Sequence, residues 1–218
     1  MPNKGVYTLL NSSEIARTRW LRLVQLEYSN GDTVHKWDSV ERAHNGVDSK
    51  DVVVVSAIVR SKNRPIETLL VKQWRPPVGR FTIEFPAGLV DKGETAQQAA
   101  LRELKEETGY VCERVLSISE PLPLSPGITN ECARMVTVEI DSDRPENVNP
   151  VQQTEETEDI EVIRVPLKRL AEELKSLEAL GNLVFSGVHA VAHGLHLAQI
   201  INNIDKNEAK SMTSDYHQ

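Results

Sequence analysis

Four glutamates lie close together in the segment GLVDKGETAQQAALRELKEETGY, residues 88–110. Glu94 comes first, and Glu103, Glu106 and Glu107 follow within five positions. On a helix, with roughly 100° of turn per residue, Glu103 and Glu107 point about 40° apart, and all three lie within about 100° of arc. Mg²⁺ takes oxygen ligands of this kind, together with waters and substrate phosphate oxygens. The spacing is typical either of a divalent-cation site or of a solvated acidic face.

Local signals predict a helix that carries this acidic sector. Thr95 and Gln98 form a capping box at its start, and Gly109 is a natural stop at its end. Ala100 and Leu104 belong to the core-facing stripe beside the carboxylates. Like charges one turn apart cost roughly 0.2–0.5 kcal/mol per pair, and the macrodipole disfavours anions at a helix C-terminus. A bound cation would offset both penalties, so the pattern favours the metal site.

Composition and charge narrow the class of protein. The chain has 218 residues, 39% hydrophobic and 26% charged, which predicts a packed globular core. A net charge of −7 without a basic stripe argues against a nucleic-acid polymer as ligand. The apolar run VVVVSAIV is too short for a bilayer, so no membrane association is expected. Two cysteines without a signal peptide predict a cytoplasmic protein, with the nucleus as the alternative.

The order of elements predicts an α+β fold. Asn30-Gly31 separates two strand-like runs, so residues 1–48 are expected to form a small N-terminal β extension. Residues 49–203 hold further strands with interspersed helices but no regular βαβ alternation, which predicts a mixed sheet in an α/β/α sandwich. The polar residues 204–218 are expected to be a disordered tail.

The helix segment then shows a resemblance. Gly88, five residues, Glu94, seven residues and RELKEETGY match every fixed position of the Nudix box, the motif of the Nudix hydrolases. The resemblance implies the Nudix α/β/α sandwich. It also implies metal-dependent hydrolysis of a nucleoside diphosphate linked to another moiety.

Metal ligands follow from the resemblance by position. Glu103 and Glu107 are similar to the principal ligands, with Glu106 nearby and the backbone carbonyl of Ala87 as a further ligand. The implied cofactor is Mg²⁺, with Mn²⁺ as an alternative.

Catalytic roles are carried over in the same way, to Glu158, Glu106, Arg102 and Glu94. Glu94 and Arg102 resemble a buried pair that orients the loop and the helix. Glu158 resembles a late loop glutamate that contacts metal and activates water. The alignment crosses a variable loop, so Glu155 and Glu156 remain alternatives for that role.

The flanks resemble the ADP-ribose pyrophosphatase, or ADP-sugar diphosphatase, branch. VKQWRPPVGRFTIEFPAGLVDKGET carries the resemblance, as does Pro126, sixteen residues after Tyr110. The branch implies a nucleotide-sugar substrate and a homodimer whose β extension contributes to the partner's site. Alternatives are another nucleoside diphosphate derivative, such as an oxidised nucleotide or a dinucleotide, and an inactive ADP-ribose sensor.

Five residues match substrate contacts of that branch. Trp20 and Trp37 match aromatic residues on either side of adenine, a role that suits tryptophan as a stacking platform. The alternative is that both are ordinary interface or core tryptophans. Arg42 and Arg75 match arginines near the diphosphate or terminal ribose, where bidentate bonds to phosphate are apt. Glu84 is a water or metal contact or a structural residue.

One further motif resembles a metal site only superficially. His189, His193 and His196 share one helical row, but Ala190 stands where the zinc-protease motif has glutamate. Packing, hydrogen bonding or a dimer contact is therefore expected for these histidines.

Overall fold

The structure is a computed structural model that describes residues 6–43, 51–154 and 159–214; for residue 51 and residues 205–214 it describes the backbone. These residues form twelve strands and four helices. The strands are β1 (Thr8–Arg17), β2 (Leu21–Ser29), β3 (Val34–Arg42), β4 (Asp51–Ser61), β5 (Arg64–Arg75), β6 (Arg80–Glu84), β7 (Ala87–Leu89), β8 (Arg114–Ile118), β9 (Leu122–Pro123), β10 (Cys132–Asp141), β11 (Ile160–Pro166) and β12 (Leu183–Val184). The helices are α1 (Ala96–Thr108), α2 (Pro145–Val148), α3 (Leu170–Ala179) and α4 (Ser186–Ser214).

The N-terminal strands form an antiparallel three-stranded sheet in the order β1-β2-β3. The predicted hairpin joins β2 to β3, with Gly31 at φ 107° in its turn. A side chain is disfavoured at this φ, so glycine suits the turn. Strand β1 was not predicted, and every residue in it is exposed.

The larger sheet, in the part of the chain that is described, has the strand order β12-β6-β5-β4-β10-β8, and β11, β7 and β9 pair with β5, β4 and β10. Strand β12 runs parallel to β6, whereas β11 and β6 run antiparallel to β5. The sheet is therefore mixed, as predicted, and the α+β fold class is confirmed.

The chain divides into two compact units. The first comprises Met1–Val54, Ala87–Ala100 and Ser117–Val136, and the second comprises Val55–Pro86, Leu101–Leu116 and Thr137–Gln218. In the second unit, Leu69, Leu70 and Val71 of β5 are consecutive and fully buried. A strand buried on both faces is a central strand, so β5 anchors this part of the core.

The C-terminal half differs in detail from the sequence-based expectations. The polar segment after β10, which includes Pro145 and Pro150, contains the short helix α2, and β12 precedes the last helix. Helix α4 continues to Ser214, through residues 204–214 where a disordered tail was expected. Glu208, Ala209 and Lys210 in that stretch are good helix formers, which favours the extension. Among the described residues, no helix combines the length and apolar character that crossing a bilayer requires.

Candidate active site

Helix α1 has the predicted signals at both ends. The Thr95 hydroxyl accepts the Gln98 N–H at 3.2 Å, and the Gln98 side chain accepts the Thr95 N–H at 2.9 Å. These bonds satisfy donors that the first turn of a helix leaves without intrahelical partners. Gly109 follows the last turn at φ 75° and donates its N–H to the Lys105 carbonyl at 2.8 Å. The capping box and the glycine stop are therefore confirmed.

The three carboxylates near the end of α1 differ in burial. Glu107 is 4% exposed, while the side chains of Glu103 and Glu106 are 14% and 40% exposed. Arg102 donates through Nη1 to Glu103 Oε1 at 2.7 Å and to Glu106 Oε2 at 3.1 Å. Its guanidinium therefore offsets part of the repulsion among the carboxylates, and Arg102, Glu103 and Glu106 form one bonded group.

The donor chemistry of this face fits a hard divalent cation, because carboxylate oxygens are the ligands such ions prefer. Glu103 and Glu107 are the two more buried members and lie one turn apart on α1. Within the described residues, His, Cys, Asp and Glu side chains do not form a group of three or more placed to hold a metal ion. The fourth predicted carboxylate, Glu158, and its alternatives Glu155 and Glu156 lie outside the described residues.

Arg75 and Glu84 form a bidentate ion pair in the second unit. Arg75 Nε donates to Glu84 Oε1 at 2.9 Å, and Arg75 Nη2 donates to Oε2 at 2.8 Å. The Thr82 hydroxyl also donates to Glu84 Oε1. Burial alone would raise the pKa of Glu84, but the hydrogen bonds from Arg75 and Thr82 and the Arg75 charge outweigh it, so this pKa lies below its ordinary value. Glu84 is therefore an ionised carboxylate near neutral pH.

Ala87 and Glu94 belong to the first unit. Ala87 lies opposite Val54 in the antiparallel pair of β7 with β4. Glu94 Oε2 accepts the Asp91 N–H at 3.0 Å, and the Glu94 N–H donates to the Asp91 carbonyl at 3.0 Å. Glu94 thus closes the loop that precedes α1, which supports its predicted orienting role. Its pairing with Arg102 stays a prediction.

Strand β3 holds two predicted substrate residues against residues 125–131. Trp37 Nε1 donates to the Gly127 carbonyl at 3.1 Å, and Arg42 Nε donates to Glu131 Oε1 at 2.7 Å. Cavities of about 270 Å³ and 340 Å³ lie along this contact, one lined in part by Trp37 and the other by Arg42. The sequence marked Pro126 in this segment but missed Gly127 and Glu131, because the partners are 89 and 90 positions apart.

Trp20 and Trp37 are 65% and 50% exposed, so both rings are accessible to a ligand. The Arg19 guanidinium lies 4.5 Å from the centroid of the Trp20 ring. The Trp20 carbonyl accepts the Ala43 N–H, which places Trp20 six positions along the sheet from Trp37. At about 3.4 Å per residue the two backbones are about 20 Å apart.

The three histidines line a groove between α3 and α4 in the second unit. The groove has a volume of about 410 Å³ and is also lined by Glu172, Glu178 and two lysines. All three histidines are exposed on α4. Packing, hydrogen bonding or a dimer contact stays the prediction for these histidines.

Comparisons with known proteins agree with the motif. The NUDIX domain matches residues 50–182. The chain is 39% identical to ADP-ribose pyrophosphatase from Saccharomyces cerevisiae over 85% of this chain and 81% of that protein. It is 34% identical to ADP-sugar pyrophosphatase from Mus musculus over 88% of each, and 41% identical to putative nudix hydrolase 2 from Caenorhabditis elegans over 91% and 90%.

A solved structure supports the same fold. The crystal structure of an ADP compounds hydrolase matches with a TM-score of 0.58 at 21% identity, over 80% of this chain and 86% of that one. Nudix hydrolases generally use divalent metal ions, which suits the carboxylates of α1. With the NUDIX domain covering more than half of its length, the chain belongs to the Nudix hydrolase family.

Proposed function

We propose that this protein hydrolyses the diphosphate of ADP-ribose to AMP and ribose 5-phosphate. One water adds to a phosphorus atom, the bond from that phosphorus to the bridging oxygen breaks, and the second phosphate leaves as a monoester. The observation that carries the proposal is the carboxylate face of α1, with Glu107 buried and Glu103 nearly so. The pyrophosphatase relatives from yeast and mouse support the choice of substrate.

Glu103 and Glu107 would hold Mg²⁺ or Mn²⁺, with the Ala87 carbonyl as a further ligand. Bound there, the cation would neutralise charge on phosphate oxygens and lower the pKa of water. Glu107 is 4% exposed and lies one turn from Glu103, so the two carboxylates can share one cation with little competition from bulk water.

Arg42 and Arg75 are proposed to bind the diphosphate or the terminal ribose. Each now pairs with a carboxylate, Glu131 and Glu84 respectively, through two of its nitrogens. Both arginine side chains are nearly half-exposed, at 43% and 44%, so an incoming phosphate can reach them. Guanidinium groups recognise phosphate bidentately, as they do carboxylate. On substrate binding, each arginine would then release its carboxylate partner and bind a phosphate group.

The proton of the attacking water is proposed to pass to Glu158, since a loop carboxylate can approach a substrate late. We expect Glu158→Gln to lower kcat by roughly 10²–10⁴-fold, the usual range for loss of a general base, while ADP-ribose still binds. Steady-state kinetics and equilibrium dialysis of ADP-ribose would measure the two effects. If Glu158→Gln keeps its rate and Glu156→Gln or Glu155→Gln loses it, the base belongs to that residue.

A homodimer is proposed as the active form. Strand β1 exposes Leu9, Leu10 and Ile15 at 62%, 53% and 54%, and an apolar edge strand of this kind needs a cover. The adenine is proposed to lie between one tryptophan from each of two chains, as the resemblance to the ADP-ribose pyrophosphatase branch implies. Analytical ultracentrifugation would test the assembly, and a fully active monomer would contradict it.

Purified protein incubated with ADP-ribose, with Mg²⁺ or with EDTA, tests the activity. Ion-exchange chromatography should show equal amounts of AMP and ribose 5-phosphate in the Mg²⁺ sample alone. A dinucleotide and an oxidised nucleoside diphosphate should be run in parallel. Preferential hydrolysis of either would overturn the substrate, and tight ADP-ribose binding without any hydrolysis would indicate a sensor.

A further inference from the structure

Gln152 joins two backbone elements of the second unit through one side-chain amide. Its Nε2 donates to the Glu107 carbonyl at 2.7 Å and to the Ile160 carbonyl at 2.9 Å. Glu107 lies in the last turn of α1, and Ile160 begins β11. Gln152 itself is exposed, so no requirement of core packing explains its conformation.

The neighbouring residues attach to the same end of the helix. The Gln153 N–H donates to the Glu106 carbonyl at 2.8 Å. Gly109 allows the close approach, because a Cβ at that position would lie 2.4 Å from the backbone nitrogen of Val151. The carbonyls of Glu106 and Glu107, which a helix end leaves without intrahelical donors, therefore both accept bonds from residues 152 and 153.

The last turn of a helix frays more readily than its interior. Glu107 is one residue from the end of α1, whereas Glu103 is a full turn inside it. Two carboxylates that share a cation must keep a fixed spacing, so a ligand in the fraying turn requires support from outside the helix. Water can satisfy a helix-terminal carbonyl, but it cannot fix that carbonyl to another strand.

We propose that Gln152 is a positioning residue that fixes the last turn of α1 so that Glu107 keeps its place beside Glu103 for cation binding. This inference rests on the proposed metal-dependent function. Gln152 contacts backbone alone in these bonds, so it acts through Glu107 rather than on substrate.

Mn²⁺ binding to the full-length protein, followed by electron paramagnetic resonance, gives a readout that is independent of turnover. Gln152→Met keeps the length of the side chain and removes the donors. Asn182→Leu is the matched control, because Asn182 Nδ2 donates to the Leu177 carbonyl at 2.8 Å at the end of α3. We expect the Kd for Mn²⁺ to rise about tenfold in Gln152→Met, as for other residues that orient ligands, and to stay unchanged in Asn182→Leu.

The kinetics of the Gln152 variants should follow their affinity for Mn²⁺. At subsaturating Mn²⁺, kcat of Gln152→Met should fall about tenfold in parallel with metal affinity, while KM for ADP-ribose at saturating metal should match that of the unmodified protein. Gln152→Asn, one methylene shorter, should also weaken Mn²⁺ binding because it cannot bridge both carbonyls. It serves as the test if Gln152→Met does not fold.

Several results would overturn the inference. Unchanged Mn²⁺ affinity in both folded Gln152 variants would do so, as would equal weakening in Gln152→Met and Asn182→Leu, which would indicate general destabilisation. An unmodified protein that binds no Mn²⁺ would overturn the proposed metal site together with this inference. Normal Mn²⁺ binding without ADP-ribose hydrolysis would overturn the substrate assignment alone and leave the positioning role standing.

Discussion

Two regions hold their candidate functional residues in opposite ways: the end of α1, and the contact of β3 with residues 125–131. At the end of α1, Glu107 is buried and its carbonyl is fixed by Gln152. At the β3 contact, Trp37 is half-exposed and its ring is held by one hydrogen bond to Gly127.

The difference fits the chemistry proposed for each region. Cation ligands must be placed within narrow limits before substrate arrives, so rigid support is needed. A stacking surface tolerates more freedom, because the face of a base is large and the contact is not directional. We therefore expect substitutions at the helix to lower turnover and substitutions at the tryptophans to weaken binding.

Among the changes in these two regions, Glu107→Gln should have the largest effect on catalysis. One ligand charge is lost where phosphoryl charge must be screened, so we expect kcat to fall by at least about 10²-fold with the fold intact. Circular dichroism and the rate of AMP release measure the two properties. Glu161→Gln is the control, since Glu161 is 63% exposed and pairs with Lys72. Near-normal turnover in folded Glu107→Gln would refute the metal assignment.

Gly109→Ala should be the most destabilising change at the helix end. The added Cβ meets the Val151 backbone, and the residue must keep φ 75°. Gly181 ends α3 at φ 90° with no atom within 4 Å of an added Cβ, so Gly181→Ala isolates the conformational cost. We expect Gly109→Ala to lose about 1–3 kcal/mol more than Gly181→Ala in urea denaturation, the range for overpacking. Equal losses would show that the loop moves aside freely.

Trp20→Ala and Trp37→Ala should each weaken ADP-ribose binding by about 1–3 kcal/mol and change kcat less. Mixing the two variants sharpens the test. If each site takes one tryptophan from each chain, a mixed dimer has one site with both tryptophans and one site with neither. After exchange of subunits, about a quarter of all sites should regain normal affinity. Isothermal titration would detect this fraction. No recovery on mixing would place both tryptophans in one chain's site or outside it, and unchanged KM in both variants would reject adenine stacking.

Signals of short range allowed the helix to be predicted from sequence. The capping box spans three residues, the glycine stop needs one, and the carboxylate spacing follows from helix geometry. The same holds for the β2–β3 hairpin, where Asn30-Gly31 specifies the turn. These features formed as predicted because each depends on residues that are close in sequence.

Features that depend on distant partners were missed. Strand β1 lacks a regular alternation because its pairing with β2 shifts register between Leu9 and Asn11 and again between Glu14 and Ala16. Strand β12 forms because Leu183 and Val184 pair with β6, about a hundred positions earlier in the chain. The bond from Gln152 to Glu107 likewise spans 45 positions, and no local pattern marks a glutamine for this task.

The Arg75–Glu84 pair gives the smallest expected effect. The pKa of Glu84 is lowered in the folded protein, so its charged form stabilises the fold above the ordinary glutamate value of about 4.3, and this contribution is lost as pH falls through the folded pKa. In Arg75→Met the largest remaining influence on the pKa of Glu84 is burial, which raises this pKa. The ionised carboxylate of Glu84 would then destabilise the fold instead of stabilising it.

The cost of Arg75→Met should therefore be greatest at pH 7, at about 1 kcal/mol because Arg75 is nearly half-exposed, and should shrink towards pH 3. Urea denaturation at both pH values measures it. Arg169→Met breaks the exposed contacts of Arg169 with Glu172 and Glu173 and should cost less at pH 7. A cost for Arg75→Met that does not depend on pH would contradict this prediction, because it would show that Arg75 does not stabilise the fold through the charge of Glu84.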